Sequence, residues 1–151
     1  MSGVAVVRYL LANNAPVIAL VPAARIVFGE IALNTVLPAI EVRQIIGVPR
    51  NTLAMTETGV LHSDRVQVTC LAKTWTAKEA LMALLLGACA HQRGLVNGIM
   101  VDAIIRDIEG PDLSDPATSI YAGSRDFMVR WTAYPDNALL AEDGSYLVTE
   151  S

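Results

Sequence analysis

With 151 residues, 53% of them apolar and 17% charged, the chain has the size of one domain and fewer charges than the roughly 25% of an average soluble domain. At that length about 68–70% of the unfolded surface is buried, so no disulfide or metal staple is required. A net charge of −4 without a basic cluster argues against a grip on nucleic-acid backbone, and the apolar runs fall short of the about 20 residues that cross a bilayer.

The apolar excess is most simply assigned to a subunit interface, so an obligate oligomer is expected. Cys70 and Cys89 have neither metal spacing nor a disulfide framework and read as small buried hydrophobes in a reducing cytoplasm.

The N-terminal stretch lacks the basic lead of a signal peptide and is interrupted by Arg8 and by Asn13 and Asn14, so it reads as part of the fold. Val4, Val7, Leu10 and Leu11 have helical spacing, with Ser2 available as a cap. Pro16 opens a short second helix that Pro22 ends, and Arg25 to Phe28 form a short strand closed by Gly29. Leu37 to Arg43 alternate as another strand, with Pro38 at its start, expected to pair antiparallel with Arg65 to Ala72. The connection from Gly47 to Ser63 reads as a long loop, and loops of that length inside a domain are usually functional or disordered.

In the strand Arg65 to Ala72, Val66, Val68 and Cys70 share one face. Thr76 and Glu79 then have the spacing of a capping box, predicting a helix from Thr76 to Gln92 that Gly94 ends. Leu81, Leu84, Leu85 and Ala88 fill one face of that helix, while Met82, Leu86 and Cys89 are left for a second cover. Asn97-Gly98 is a turn, and Ile99 to Ile108 a strand with Val101, Ala103 and Ile105 on one face. A last strand, Asp126 to Thr132, turns Phe127, Val129 and Trp131 inward.

These elements predict an α+β fold, an antiparallel or mixed sheet of about four to five strands with an N-terminal helix and one long central helix packed on it. One domain spans residues 1–133, and 134–151 form a C-terminal arm. In that arm Tyr146, Leu147 and Val148 suit pairing with an exposed sheet edge.

Catalytic constellations are not apparent. His62 and His91 have no metal-ligand spacing, and Walker, dinucleotide and esterase-elbow motifs are missing. His62 reads as solvated in the long loop, and His91 as a cation near a helix C-terminus. Glu57, Asp64, Asp102, Asp107 and Asp126 are carboxylates that spacing alone does not pair, and they read as structural. Trp75 and Trp131 read as core or interface anchors.

Taken in order, Arg25-Ile26 with Gly29, Leu37-Pro38-Ala39-Ile40 with Val42, Arg65-Val66-Gln67-Val68, Thr76-Ala77-Lys78-Glu79-Ala80, and Asp126-Phe127 with Val129 and Trp131 resemble the tail-completion (tail-terminator) proteins of long-tailed bacteriophages and gene transfer agents. The resemblance implies a small α+β subunit assembled as a hexameric ring that caps the tail tube and meets the head connector. It implies no enzyme activity and no cofactor. It further implies that DNA only passes through the channel and that the protein is part of a virion assembled in the bacterial cytoplasm.

Leu53, Met55, Val60 and Leu61 on the long loop, with Tyr146, Leu147 and Val148, are the expected contacts with neighbouring subunits or the tube. Two alternatives stay open: another ring at the head–tail junction, and a small oligomeric enzyme or ligand-binding domain with a site between subunits.

Overall fold

The computed structural model describes residues 3–32, 35–50, 60–110, 114–115, 117–133, 138–140 and 146–148. Helix α1 (Gly3–Ala12) and helix α2 (Ala15–Leu20) come first, with the Asn14 side chain accepting from the Val17 N–H at 3.2 Å to cap α2. Strands β1 (Ile26–Phe28), β2 (Ala39–Arg50) and β3 (Val60–Ala72) precede helix α3 (Trp75–Cys89). Strands β4 (Gly94–Val96), β5 (Ile99–Glu109) and β6 (Tyr121–Ala133) follow, and β7 (Ala138–Leu140) and β8 (Tyr146–Val148) end the described chain.

The main sheet is mixed and six-stranded, in the order β1-β2-β3-β6-β5-β4, with β1 parallel to β2 and every other pair antiparallel. It exceeds the expected four to five strands because β4, only three residues long, pairs through Gly94↔Val101 and Val96↔Ile99 around the Asn97-Gly98 turn. α1 packs across β1, β2 and β3, α3 across β3 and β6, and α2 against both helices, all on one face. Val6, Leu11, Ile40, Val42, Val66, Val68, Leu81, Leu85, Phe127 and Val129 form the core between them. The second cover that α3 requires is therefore α1 and α2 of its own chain.

Several sequence expectations hold. Val66, Val68 and Cys70 are buried on one face of β3, and Phe127, Val129 and Trp131 on the same face of β6. Strand β2 starts just after Pro38 and runs antiparallel to β3.

Others are corrected. The cap of α3 is Thr74, whose hydroxyl accepts from the Ala77 N–H at 3.1 Å, so the helix starts two residues before the Thr76 capping box and Trp75 is an exposed first-turn residue. It stops at Cys89, before Gln92, because Ala90 is extended and His91 takes a φ of 64°. Leu84 is only half-buried, whereas Met82 and Cys89 join Leu81, Leu85 and Ala88 inside.

In β5 a bulge between Val101 and Ala103 shifts the alternation, so that Val101 and Ile104 are buried and Ile105 is exposed. Both ends of the connection read as a loop, 47–50 and 60–63, are strand. Gly47, Val48, Pro49 and Arg50 pair with Asp64, Ser63, His62 and Leu61, leaving 51–59 as the link.

Candidate functional site

The paired ends of β2 and β3 continue the main sheet, with β3 paired to β6 as far as Val60↔Ala133. In this part of β3 Asp64 is a buried acidic residue. Asp64 Oδ2 accepts from the Gly3 N–H at 2.8 Å, satisfying an N–H of the first turn of α1, and from Trp131 Nε1 at 2.7 Å. The glycine opposite, Gly47, is required by this carboxylate: a Cβ there would sit 2.8 Å from Asp64 Oδ1. The His62 ring stacks on Trp131 at 4.4 Å between centroids and 11° between planes, so His62 is half-buried, contrary to the solvated expectation. A buried acid holding a helix start from 61 residues away has no local sequence signal beyond its place in an apolar strand.

The other carboxylates are also engaged in structure. Arg65 Nε lies 2.8 Å from Asp126 Oδ2 and 3.6 Å from Asp107 Oδ2, and Thr132 Oγ1 donates to Asp102 Oδ2 at 2.6 Å. Glu57 lies outside the described residues. His91 is exposed just past α3, and its N–H donates to the Ile104 carbonyl.

A cleft of about 160 Å³ lies between the first turns of α3 and the end of β5. In it Lys78 Nζ is 3.0 Å from Glu79 Oε1 and 5.4 Å from the centre of the Trp75 ring. No group of three or more His, Cys, Asp or Glu that could hold a metal occurs among the described residues, and none of their helices is long and apolar enough to cross a membrane.

The face of the sheet away from the helices carries the arrangement with most to offer a partner. Directly opposed residues share a face, so the register defines three outward rows. The first is Ile46, Arg65, Met128 and Ile105; the second Val48, Ser63, Arg130 and Ala103; the third Arg50, Leu61, Thr132 and Met100. Ile46, Val48, Leu61 and Ile105 are all exposed there.

Of the expected contact residues, Leu61 thus lies on this face, and half-buried Val60 begins β3 opposite Ala133. Leu53 and Met55 fall outside the described residues. Tyr146, Leu147 and Val148 do not join the main sheet: they pair with Leu140, Leu139 and Ala138 in a separate two-stranded sheet. That partner strand follows an interruption by Pro135-Asp136-Asn137, and its three apolar residues were too short a run to read as a strand.

No protein-family model matches the sequence, and no curated protein matches it. Among solved structures, a chain of the virion of a native gene transfer agent particle has a similar fold, with a TM-score of 0.59 at 15% sequence identity. The match covers 86% of this chain and 94% of that one.

Proposed function

We propose that this protein is a structural subunit of a phage-type virion, a tail-completion protein that closes into a hexameric ring, caps the tail tube and presents a surface to the head connector. The observation that carries the reading is the fold shared, nearly end to end, with a chain of a gene transfer agent virion. The exposed apolar residues Ile46, Val48, Leu61 and Ile105 on one sheet face support it, because a ring subunit needs surfaces that are unfavourable in water until neighbours cover them. The tube and connector are protein partners, and DNA crosses the channel without being gripped.

Light scattering with negative-stain imaging tests this, with and without tail tubes. A closed ring with an open channel is the expected result. A chain that remains monomeric at micromolar concentration in both conditions overturns the reading. Charged substitutions at Leu53 and Met55 should leave the subunit folded and stop ring assembly or tail completion. Variants that assemble and complete tails normally remove this segment from the interface.

A further inference from the structure

The strands of the main sheet do not end level with one another. β1 pairs only with Ile40, Glu41 and Val42, so from Arg43 to Arg50 strand β2 has β3 on one side and no strand among the described residues on the other. At the opposite margin β4 pairs only with Ile99, Met100 and Val101, and the His91 N–H donates to the Ile104 carbonyl. From Ile105 to Glu109 strand β5 therefore pairs with β6 alone among the described residues. Every residue of both stretches is exposed.

The backbone of these stretches has hydrogen bonds to offer. The Val42 carbonyl accepts from the Gly29 N–H as the Ile104 carbonyl does from His91, so both point away from the inner strands. Backbone groups of successive strand residues point to alternate sides, and those of Gln44 and Arg106 therefore point outward too. Such an edge is a template for another strand. Pro49, which has no N–H to donate, is a residue that edge strands tolerate.

The two edges differ in charge. Arg43 to Arg50 contains two arginines and no acid, whereas Ile105 to Glu109 contains two acids and one arginine. Each also exposes isoleucines, Ile45 and Ile46 on the first and Ile105 and Ile108 on the second. Two copies meeting through the same edge would set like charges against each other; unlike edges bring opposite charges together.

The edges also lie at diagonal corners of the sheet. Arg50 stands level with Leu61, Thr132 and Met100, and Glu109 with Arg125, Val68 and Val42. A contact between different edges of identical copies is head-to-tail, the kind that closes into a ring, and the diagonal offset gives the stagger that a closed sheet needs. Because β2 and β5 run in opposite directions, copies that keep one orientation meet antiparallel. We infer that the Arg43–Arg50 edge of one copy pairs antiparallel with the Ile105–Glu109 edge of the next, so that the sheet continues from subunit to subunit. This rests on the self-association proposed above and names the edges through which it occurs.

The test is amide hydrogen exchange of the full-length wild-type chain, read by mass spectrometry at concentrations below and above its association midpoint. Exchange in peptides covering both edges, which include the outward amides of Gln44 and Arg106, should slow by at least about tenfold on assembly. Assembled protein in which neither edge, or only one, is protected overturns this inference and leaves the ring reading standing. A wild-type chain that never associates, even on tubes, overturns both.

Charge supplies an independent arm with opposite signs. Arg50→Glu should move the association midpoint about tenfold to higher concentration, while Arg106→Glu, which makes the acidic edge more acidic, should move it to lower concentration. Both residues are exposed, so thermal unfolding of the subunit should not change. Shifts of the same sign, or no shift, overturn the pairing.

Discussion

On the core face of the sheet Val66, Val68 and Phe127 are shut away beneath α1 and α3, while on the same strands Arg65 and Met128 point outward between Ile46 and Ile105. Both faces carry apolar residues, so composition does not separate them. What separates them is cover: the chain supplies three helices for one face, while on the other Ile46, Val48, Leu61 and Ile105 stay exposed. Apolar area buried within the subunit stabilises folding at about 25 cal/mol per Å², and the same area left open becomes available to association instead. Core-face changes should therefore appear in unfolding, outer-face changes in assembly.

The strongest attempt to break that division compares Leu85→Ala and Phe127→Ala with Ile46→Ala and Ile105→Ala. Leu85 and Phe127 are fully buried, and their truncation should cost about 2–5 kcal/mol in chemical denaturation. Half-buried Leu84 should cost less than Leu85. The two outer-face variants should stay within about 0.5 kcal/mol of the wild-type subunit. If Ile46→Ala destabilises as Leu85→Ala does, the outer face is part of the subunit core and the contrast fails.

Asp64 crosses the division, a charge on the core face. In Asp64→Ala the Gly3 N–H and the Trp131 indole lose their acceptor, at about 1–3 kcal/mol for each buried donor left unmade. Asp64→Asn, which keeps an acceptor, should recover part of the loss. Equal stability of all three proteins in denaturant melts would show that water replaces the carboxylate and that α1 does not depend on it.

The thiols sharpen the comparison through pH. Burial pushes Cys89 up to about 12 and raises Cys70 too, with Cys89 adding to the latter shift and Lys78 opposing it. The unfolded chain releases thiol protons from about pH 9 while the folded chain retains them. Stability should therefore be unaffected by these groups below about pH 9 and fall as pH rises from there towards about 12. Denaturation midpoints at successive pH values should show that decline, and Cys89→Ala should flatten it. In the native protein neither thiol should react with iodoacetamide at pH 8; rapid labelling would place them outside the core.

Much of the core face was legible because alternation needs only a few residues: Val66, Val68 and Cys70, or Phe127, Val129 and Trp131, declare their side unaided. The outer face was not. Gly47 and Pro49 punctuate β2 as a loop would, and the bulges at Ile45 and near Asp102 shift the period, sending Ile105 outward where strict alternation turned it inward. Leu61 was picked out as a contact because an apolar residue on a supposed loop is conspicuous, yet its companions Ile46, Val48 and Ile105 became visible only through strand register. Asp64 was one of five unassigned carboxylates until the fold brought Gly3 and Trp131 to it.

The smallest expected effect concerns where the core-face helix begins. Thr74 and Thr76 both precede an apolar run, and the Glu79 spacing favours Thr76, but a helix capped there would lose its first two residues, among them Trp75, over whose ring Lys78 is held. Beginning at Trp75 makes Ala77 the third residue, and its N–H reaches the Thr74 hydroxyl at 3.1 Å, while Thr76 is an exposed side chain in the first turn. Thr74→Ala should then cost about 1 kcal/mol and Thr76→Ala only a few tenths. Thr74→Ser, which keeps the acceptor, should be close to neutral. Denaturant melts of the three variants rank them, and if Thr76→Ala costs more than Thr74→Ala the capping box is real and α3 starts two residues later. In that case Trp75 leaves the helix, and its ring no longer reaches Lys78 by helical spacing.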